Sequence, residues 1–205
     1  QTCYICTQAL HWKTKEGLVR GCACRGTAGF AHVSCLAEQA KILFAEAEEN
    51  NLDVEVKIER WNRWDTCSLC EQMYHSVVRC ALGWACWKTY VGRPEGDGPR
   101  CVAMSVLGSG LHDAGHYEDV LLVYEAELSM DMRLGNSEYN ILVVQSNIAR
   151  TYSSLGRHED ALRMSRDMYS GCVTLRGEEH EGSLGAAYNY ASFLFKLEGF
   201  DEAKS

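Results

Sequence analysis

Proline is nearly absent, with two residues in 205, so little in the chain removes backbone donors from a helix and a helix-rich fold is expected. No apolar run approaches the roughly 18–20 residues of a membrane span. No basic-then-apolar leader opens the chain, which starts at Gln1 and stops at DEAKS in what reads as an unfinished helix; a fragment of a longer protein is expected. An excess of positive charge is missing too. Residues 1–100 carry 12 Lys+Arg against 12 Asp+Glu, while residues 101–205 carry 8 against 16 and hold the whole net charge of −8. Neither half has the basic footprint of a nucleic-acid binder. There is no phosphate-cradling loop, no Ser-His-Asp arrangement and no carboxylate pair set in a motif, so no catalytic residue is assigned. With 46% apolar and 23% charged residues, the composition is that of a globular protein.

Cysteine is abundant. Eleven are present, seven of them in the first 70 residues. Those seven and His32 fall into four close pairs: Cys3-x-x-Cys6, Cys22-x-Cys24, His32-x-x-Cys35 and Cys67-x-x-Cys70. Cysteines this close make poor disulfide partners, whereas one short loop can aim two sulfurs at one ion. Structural zinc takes four soft ligands in a tetrahedron, so eight ligands fit two ions. Buried free thiols are common in cores, but a core has no need of the pairing. Thiolates closed inside a full zinc shell are not free nucleophiles, which argues against thiol catalysis.

The stretch CACRGTAGFAHVSCL resembles the RING-CH (RING-variant) zinc finger at Cys22, Cys24, Arg25, Gly26, Phe30, His32, Cys35 and Leu36. The resemblance covers roughly residues 1–75. It implies a cross-brace, with Cys3, Cys6, His32 and Cys35 on one zinc and Cys22, Cys24, Cys67 and Cys70 on the other. It also implies a ubiquitin ligase. Such fingers do no covalent chemistry; they bind a ubiquitin-conjugating enzyme and hold its thioester in a reactive pose, a gain of orientation. Ile5, inside the first knuckle CYIC, sits where these fingers place an apolar contact for that enzyme, although packing within the finger is a role equally open to it. Three departures stand against ligase activity. Many family members carry Trp where this chain has Gln39, and often a basic residue where it has Glu71. The gap from Cys35 to Cys67 is also long, at 31 residues, and is expected to hold a helix over 34–51 with Leu36, Ala40, Leu43, Phe44 and Ala47 on one face. A PHD finger, a reader of histone tails, shares the ligand order. It usually has a wider second cysteine pair and an aromatic where this chain has Asp65.

Residues 73–91 read as a helix with Val77, Cys80, Ala81, Trp84, Trp87 and Lys88 at helical spacing, and the two tryptophans as core rather than ligand stackers. GRPEGDGP at 92–99 is the clearest loop. Beyond it the sequence repeats. GHYEDVLLVYE at Gly115 returns as GRHEDALRMSR at Gly156 and GFDEAKS at Gly199, offsets of 41 and 43; NIARTY at Asn147 returns as NYASFL at Asn189, an offset of 42. Each unit reads as helix, turn at the glycine, helix, with Gly108, Ala149 and Ala191 where helices approach closely. This pattern, over roughly 100–205, resembles tetratricopeptide (TPR) repeats of the kinesin-light-chain type, which bury their apolar faces only by stacking. The resemblance implies a groove for a peptide or partner helix, with Asn147 and Asn189 at equivalent first-helix positions and Arg150 one turn on. An inter-repeat hydrogen bond is the other use of such an Asn. The acidic half favours a basic partner, or is simply a solvated face. His112 and His116 have a turn between them and make no metal site alone; Cys80, Cys86, Cys101 and Cys172 are buried or bystander thiols.

The fold expected is therefore mostly α: a small two-zinc cross-brace RING-like finger (1–75), a linking helix and loop (76–99), and an α-solenoid of TPR helix pairs (100–205). The function expected is an intracellular, cytoplasmic adaptor-type ubiquitin ligase with two zinc ions. Its finger takes the conjugating enzyme and its repeats take a protein or peptide substrate. A non-enzymatic scaffold with a structural finger, and a histone-tail reader, are the alternatives.

Overall fold

The computed structural model describes the backbone of residues 1–204 and the side chains of residues 1–197. The described residues are mostly helical, with no β-structure beyond two isolated antiparallel bridges, Val19 to Ala31 and Thr66 to Met73. Contacts divide the chain into two compact units, Gln1–His116 and Tyr117–Ser205. Among the described residues, no helix is long and apolar enough to cross a membrane.

In the first unit, irregular loops lead into α1 (Val33–Glu49), α2 (Val54–Trp61), a 3-10 turn (Asn62–Trp64), α3 (Ser76–Tyr90) and α4 (Gly98–Asp113). The expected amphipathic pattern of α1 holds: Leu36, Ala40, Phe44 and Ala47 are buried, and Leu43 is half-buried. It ends where Asn51 turns left-handed (φ 48°) and the Leu52 N–H bonds back to the Ala47 carbonyl, one route by which the last carbonyls of a helix find a donor. The long gap before Cys67 holds α2 as well, whose apolar residues were not picked out by spacing.

The third helix corrects an expectation. Its buried face is Val78, Leu82, Gly83, Cys86 and Tyr90, one step round from the predicted stripe; Val77 is 71% exposed and Trp84 43%. The side chains in the predicted register are the larger ones, but burial follows the packing partner. Val78 and Leu82 enter the core that surrounds the cysteine clusters, while Cys86 and Tyr90 enter a second core with Phe44, Trp64, Ala103 and Val106. One face of α3 thus joins the finger to the helices beyond it. Cys86, expected to be buried or a bystander, is wholly buried. The α3–α4 crossing is glycine-lined: a Cβ on Gly83 would meet Leu107 Cα at 3.0 Å, and one on Gly110 would meet the Arg79 carbonyl oxygen at 2.8 Å. Small residues here let backbone touch backbone.

The 92–99 loop is pinned by Arg93. Its guanidinium donates to both Glu48 oxygens at 2.8 and 2.6 Å, lies over the Tyr90 ring and sits 3.6 Å from Asp97, which caps α4 by accepting from the Arg100 N–H. The Arg93 hydrogen bonds hold the Glu48 carboxyl below its usual range, so this contribution is present above pH ~4.3 and lost as pH falls through the lowered value. Arg93→Ala is expected to cost about 1 kcal/mol at neutral pH, since both partners are a third exposed. The difference from wild type in urea melts should narrow below pH ~4.

The second unit comprises α5 (Tyr117–Leu134), α6 (Glu138–Ser154), α7 (His158–Arg176) and α8 (Glu181–Lys204), each packed on the next in sequence. The repeat offsets reappear as geometry, because α5 and α7 start at 117 and 158, and α6 and α8 at 138 and 181. The turn expected at Gly156 is made with φ 74°, and the Arg157 N–H reaches back to the Tyr152 carbonyl. Gly115 likewise ends α4 with φ 80°. Ala149 is buried at a helix contact as expected; Ala191, expected to match it, is exposed among the described residues. The turn expected at Gly199 lies outside the residues described in full.

Candidate functional site

Two loops of the first unit are built alike. In the knuckle at Cys3–Cys6 the Thr7 N–H bonds the Cys3 carbonyl, the Cys3 N–H bonds the Gln8 carbonyl, and the Ile5 N–H points at the Cys3 sulfur (3.4 Å). At Cys67–Cys70 the same three bonds run from Glu71 to Cys67, from Cys67 to Gln72, and from Leu69 to the Cys67 sulfur (3.4 Å). Both loops close on a residue with positive φ, Thr7 (63°) and Glu71 (55°). Few L-residues adopt that conformation without a local reason, and here the turn that presents two sulfurs requires it. Tyr4 OH reaches Ser68 Oγ at 3.2 Å, tying one knuckle to the other.

The remaining ligands come from the stretch between. The Val19–Ala31 bridge brings Cys22 and Cys24 to one side and His32 and Cys35, at the start of α1, to the other. His32 precedes α1 without capping it; the Glu16 carboxylate instead accepts from the Ser34 N–H at 2.9 Å. Gly29 has φ 78°, and a Cβ there would lie 2.5 Å from the Cys24 Cβ. Gly21 receives the start of α3, its carbonyl bonded by the His75 N–H and its Cα against Val78.

The ligand atoms gather in two groups, Cys3–Cys6–His32–Cys35 and Cys22–Cys24–Cys67–Cys70, each with all donors within 4.8 Å of one another. This is the alternating order that the finger resemblance implies. Ligands about 2.0–2.3 Å from a tetrahedral zinc lie about 3.6–3.8 Å apart. Cys6 and Cys35 sulfurs lie 3.4 and 3.6 Å from His32 Nδ1, and the Cys24 and Cys67 sulfurs are 3.8 Å apart. The His32 Nε2–H faces the Ala9 carbonyl at 3.4 Å, an outer partner that selects Nδ1 as the ligand atom. Burial pushes the Cys35 thiol up to about 12 and raises Cys22 and Cys24, while the Gln72 N–H draws Cys70 down to about 7. Three or four thiols this close ionise together only around a cation, and His32 joins its cluster as a neutral imidazole. The two clusters fit two zinc ions, held without an open position and so as structural centres.

The other predicted residues scatter. Ile5 is half-buried and lines a concavity beside the first cluster with Cys6, Gln39 and Ile42. Asn147 and Arg150 lie on α6, the former half-buried and the latter exposed. Asn189, half-buried on α8, lines a cavity of about 220 Å³ with Ser146 and Tyr139, whose ring carries the Arg176 guanidinium at 4.2 Å. The cavity does not include Asn147 or Arg150. His112 and His116 belong to neither metal cluster. Spacing did not single out Trp12, His11 or Glu16, which lie in a loop without a repeating pattern; an isolated tryptophan among polar residues was the available signal.

Residues 3–71 match the RING-variant domain family, which covers about a third of the chain and all eight ligands. A comparison with curated proteins finds none that matches significantly.

Proposed function

We propose that the chain is a RING-type ubiquitin-protein ligase, or a ligase-like adaptor, that docks a ubiquitin-conjugating enzyme on the finger and a protein partner on the helical repeats. The observation that carries this is the pair of interleaved clusters within a RING-variant domain. Two closed metal centres supply rigidity and no open coordination site, so any catalysis is positional. Ile5 is the docking contact on the first knuckle, on the rim of a concavity that includes Gln39 of α1. The helices from residue 100 onward form a TPR solenoid of the kinesin-light-chain type, supported by the 41- and 43-residue spacing of alternate helix starts, α5 to α7 and α6 to α8. Asn147, Arg150 and Asn189 then contact a bound peptide. We place the protein in the cytoplasm, where thiol ligands stay reduced.

The test is discharge of ubiquitin from a panel of charged conjugating enzymes by the zinc-loaded chain. Ile5→Ala is expected to lower discharge at least ten-fold with the zinc content unchanged, on the scale of a buried interface contact. Unchanged discharge would remove Ile5 from the interface, and no discharge with any enzyme would remove the ligase function. Glu71 favours a second function, a non-enzymatic scaffold. It is exposed beside the last ligand and puts a negative charge where ligases of this type often carry a positive one. A scaffold captures partners through the repeats but transfers no ubiquitin to them.

A further inference from the structure

Trp12 is the largest side chain left in water beside the first metal cluster, 70% exposed. It stands on the concavity of about 360 Å³ that Ile5 also lines, across from Gln39 and Ile42 of α1. Ile42 is 46% exposed and Leu10, two residues before Trp12, 59%. The loop that carries Trp12 is held firmly. The His11 N–H bonds the Glu16 carbonyl and the Lys15 N–H bonds the His11 carbonyl. His11 Nδ1 pairs with Thr14 Oγ1 at 2.8 Å. The buried His11 ring packs edge-on against His32 at 5.4 Å, and the Glu16 carboxylate is bonded to the first turn of α1. An exposed aromatic on a pre-ordered loop loses little freedom on binding, which is what makes such residues anchors.

We propose that Trp12 is the aromatic anchor with which the finger grips its conjugating enzyme, closing over an apolar loop of that enzyme from the side opposite Ile42. This rests on the ligase reading above. The concavity is continuous with Ile5 and has room for one or two apolar side chains. It explains how Gln39 is tolerated: the indole reaches the groove from the loop between the first and second ligand pairs instead of from α1. The rim also narrows the partner. Lys13 and Lys15 are exposed on the same loop, while Glu38, which lines the concavity from α1, forms an exposed pair with Lys41 at 3.5 Å. The loop side of the rim is therefore positive and suits an enzyme whose apolar loop is bordered on that side by carboxylates.

The experiment measures binding of the zinc-loaded full chain to a panel of uncharged conjugating enzymes by calorimetry. For the enzymes that bind wild type, Trp12→Ala is expected to weaken binding at least ten-fold with zinc content and melting temperature unchanged, because the side chain is exposed in the free protein. Trp12→Phe should recover part of the loss. Lys13→Glu with Lys15→Glu should weaken binding several-fold and flatten its salt dependence. If Ile5→Ala abolishes binding but Trp12→Ala stays within two-fold of wild type, the ligase reading stands and the anchor is overturned. If wild type binds none of the panel, both fall.

Discussion

Removing zinc with a chelator is expected to unfold the finger, residues 3–71. Each structural zinc contributes on the order of 10 kcal/mol of folding free energy, and a whole domain has about 5–15 to lose. The finger has little else to replace it: the first-unit core around it is Cys3, Cys22, Cys35 and Cys67 with only a few side chains such as Ala31, Leu36, Tyr74, Val78 and Leu82. Elemental analysis should give two zinc per chain, and circular dichroism should fall sharply as a chelator strips them. Cys67→Ser should retain one equivalent at most. Gly29→Ala should act like a ligand deletion, since its Cβ would sit 2.9 Å from the Cys24 sulfur in a backbone conformation that suits glycine. Acid should release the metal, because protons compete for the thiolates, and the proton wins as pH falls. A chain that keeps its fold with no metal bound would contradict the two-centre structure outright.

The second large effect is expected at Gly83 and Gly110. On helix propensity alone, changing an interior helical Gly to Ala stabilises by about 1 kcal/mol. Here the sign should reverse. The atoms a new Cβ would meet are main-chain atoms of the opposing helix, at 3.0 Å from Gly83 and 2.8 Å from Gly110, and main chain cannot rotate aside. Gly110→Val should therefore cost about 3 kcal/mol, the upper range for overpacking, and lower the melting temperature by on the order of 10–20 °C. Gly110→Ala should already be destabilising. If the Ala variants melt higher than wild type, α3 and α4 do not cross this closely.

The metal ligands were legible because coordination is a local chemical demand: a knuckle must present two sulfurs within a few residues, and pairing survives in the order of letters. Which pairs share an ion was not a matter of spacing; it came from the finger resemblance, and the structure gathers the same two groups. The helices of the second unit were legible through their period, which the starts of α5 and α7 and of α6 and α8 reproduce. What failed was the register of α3. Its predicted stripe maximised apolar bulk, whereas the actual face serves two cores at once and includes Gly83, a residue that pattern reading discounts. The fate of Ala191 was equally out of reach, because a small residue marks a close approach only if a helix arrives there.

By itself the sequence determined that this protein carries two sets of soft ligands and a run of similarly spaced helices, because both are short-range requirements written within one loop or one repeat. Tertiary structure alone decided how α3 shares its face between the cysteine clusters and the helices beyond them, and that Trp12 stands on the same concavity as Ile5. Those outcomes depend on which surfaces meet across tens of residues, and neither propensity nor periodicity carries that information.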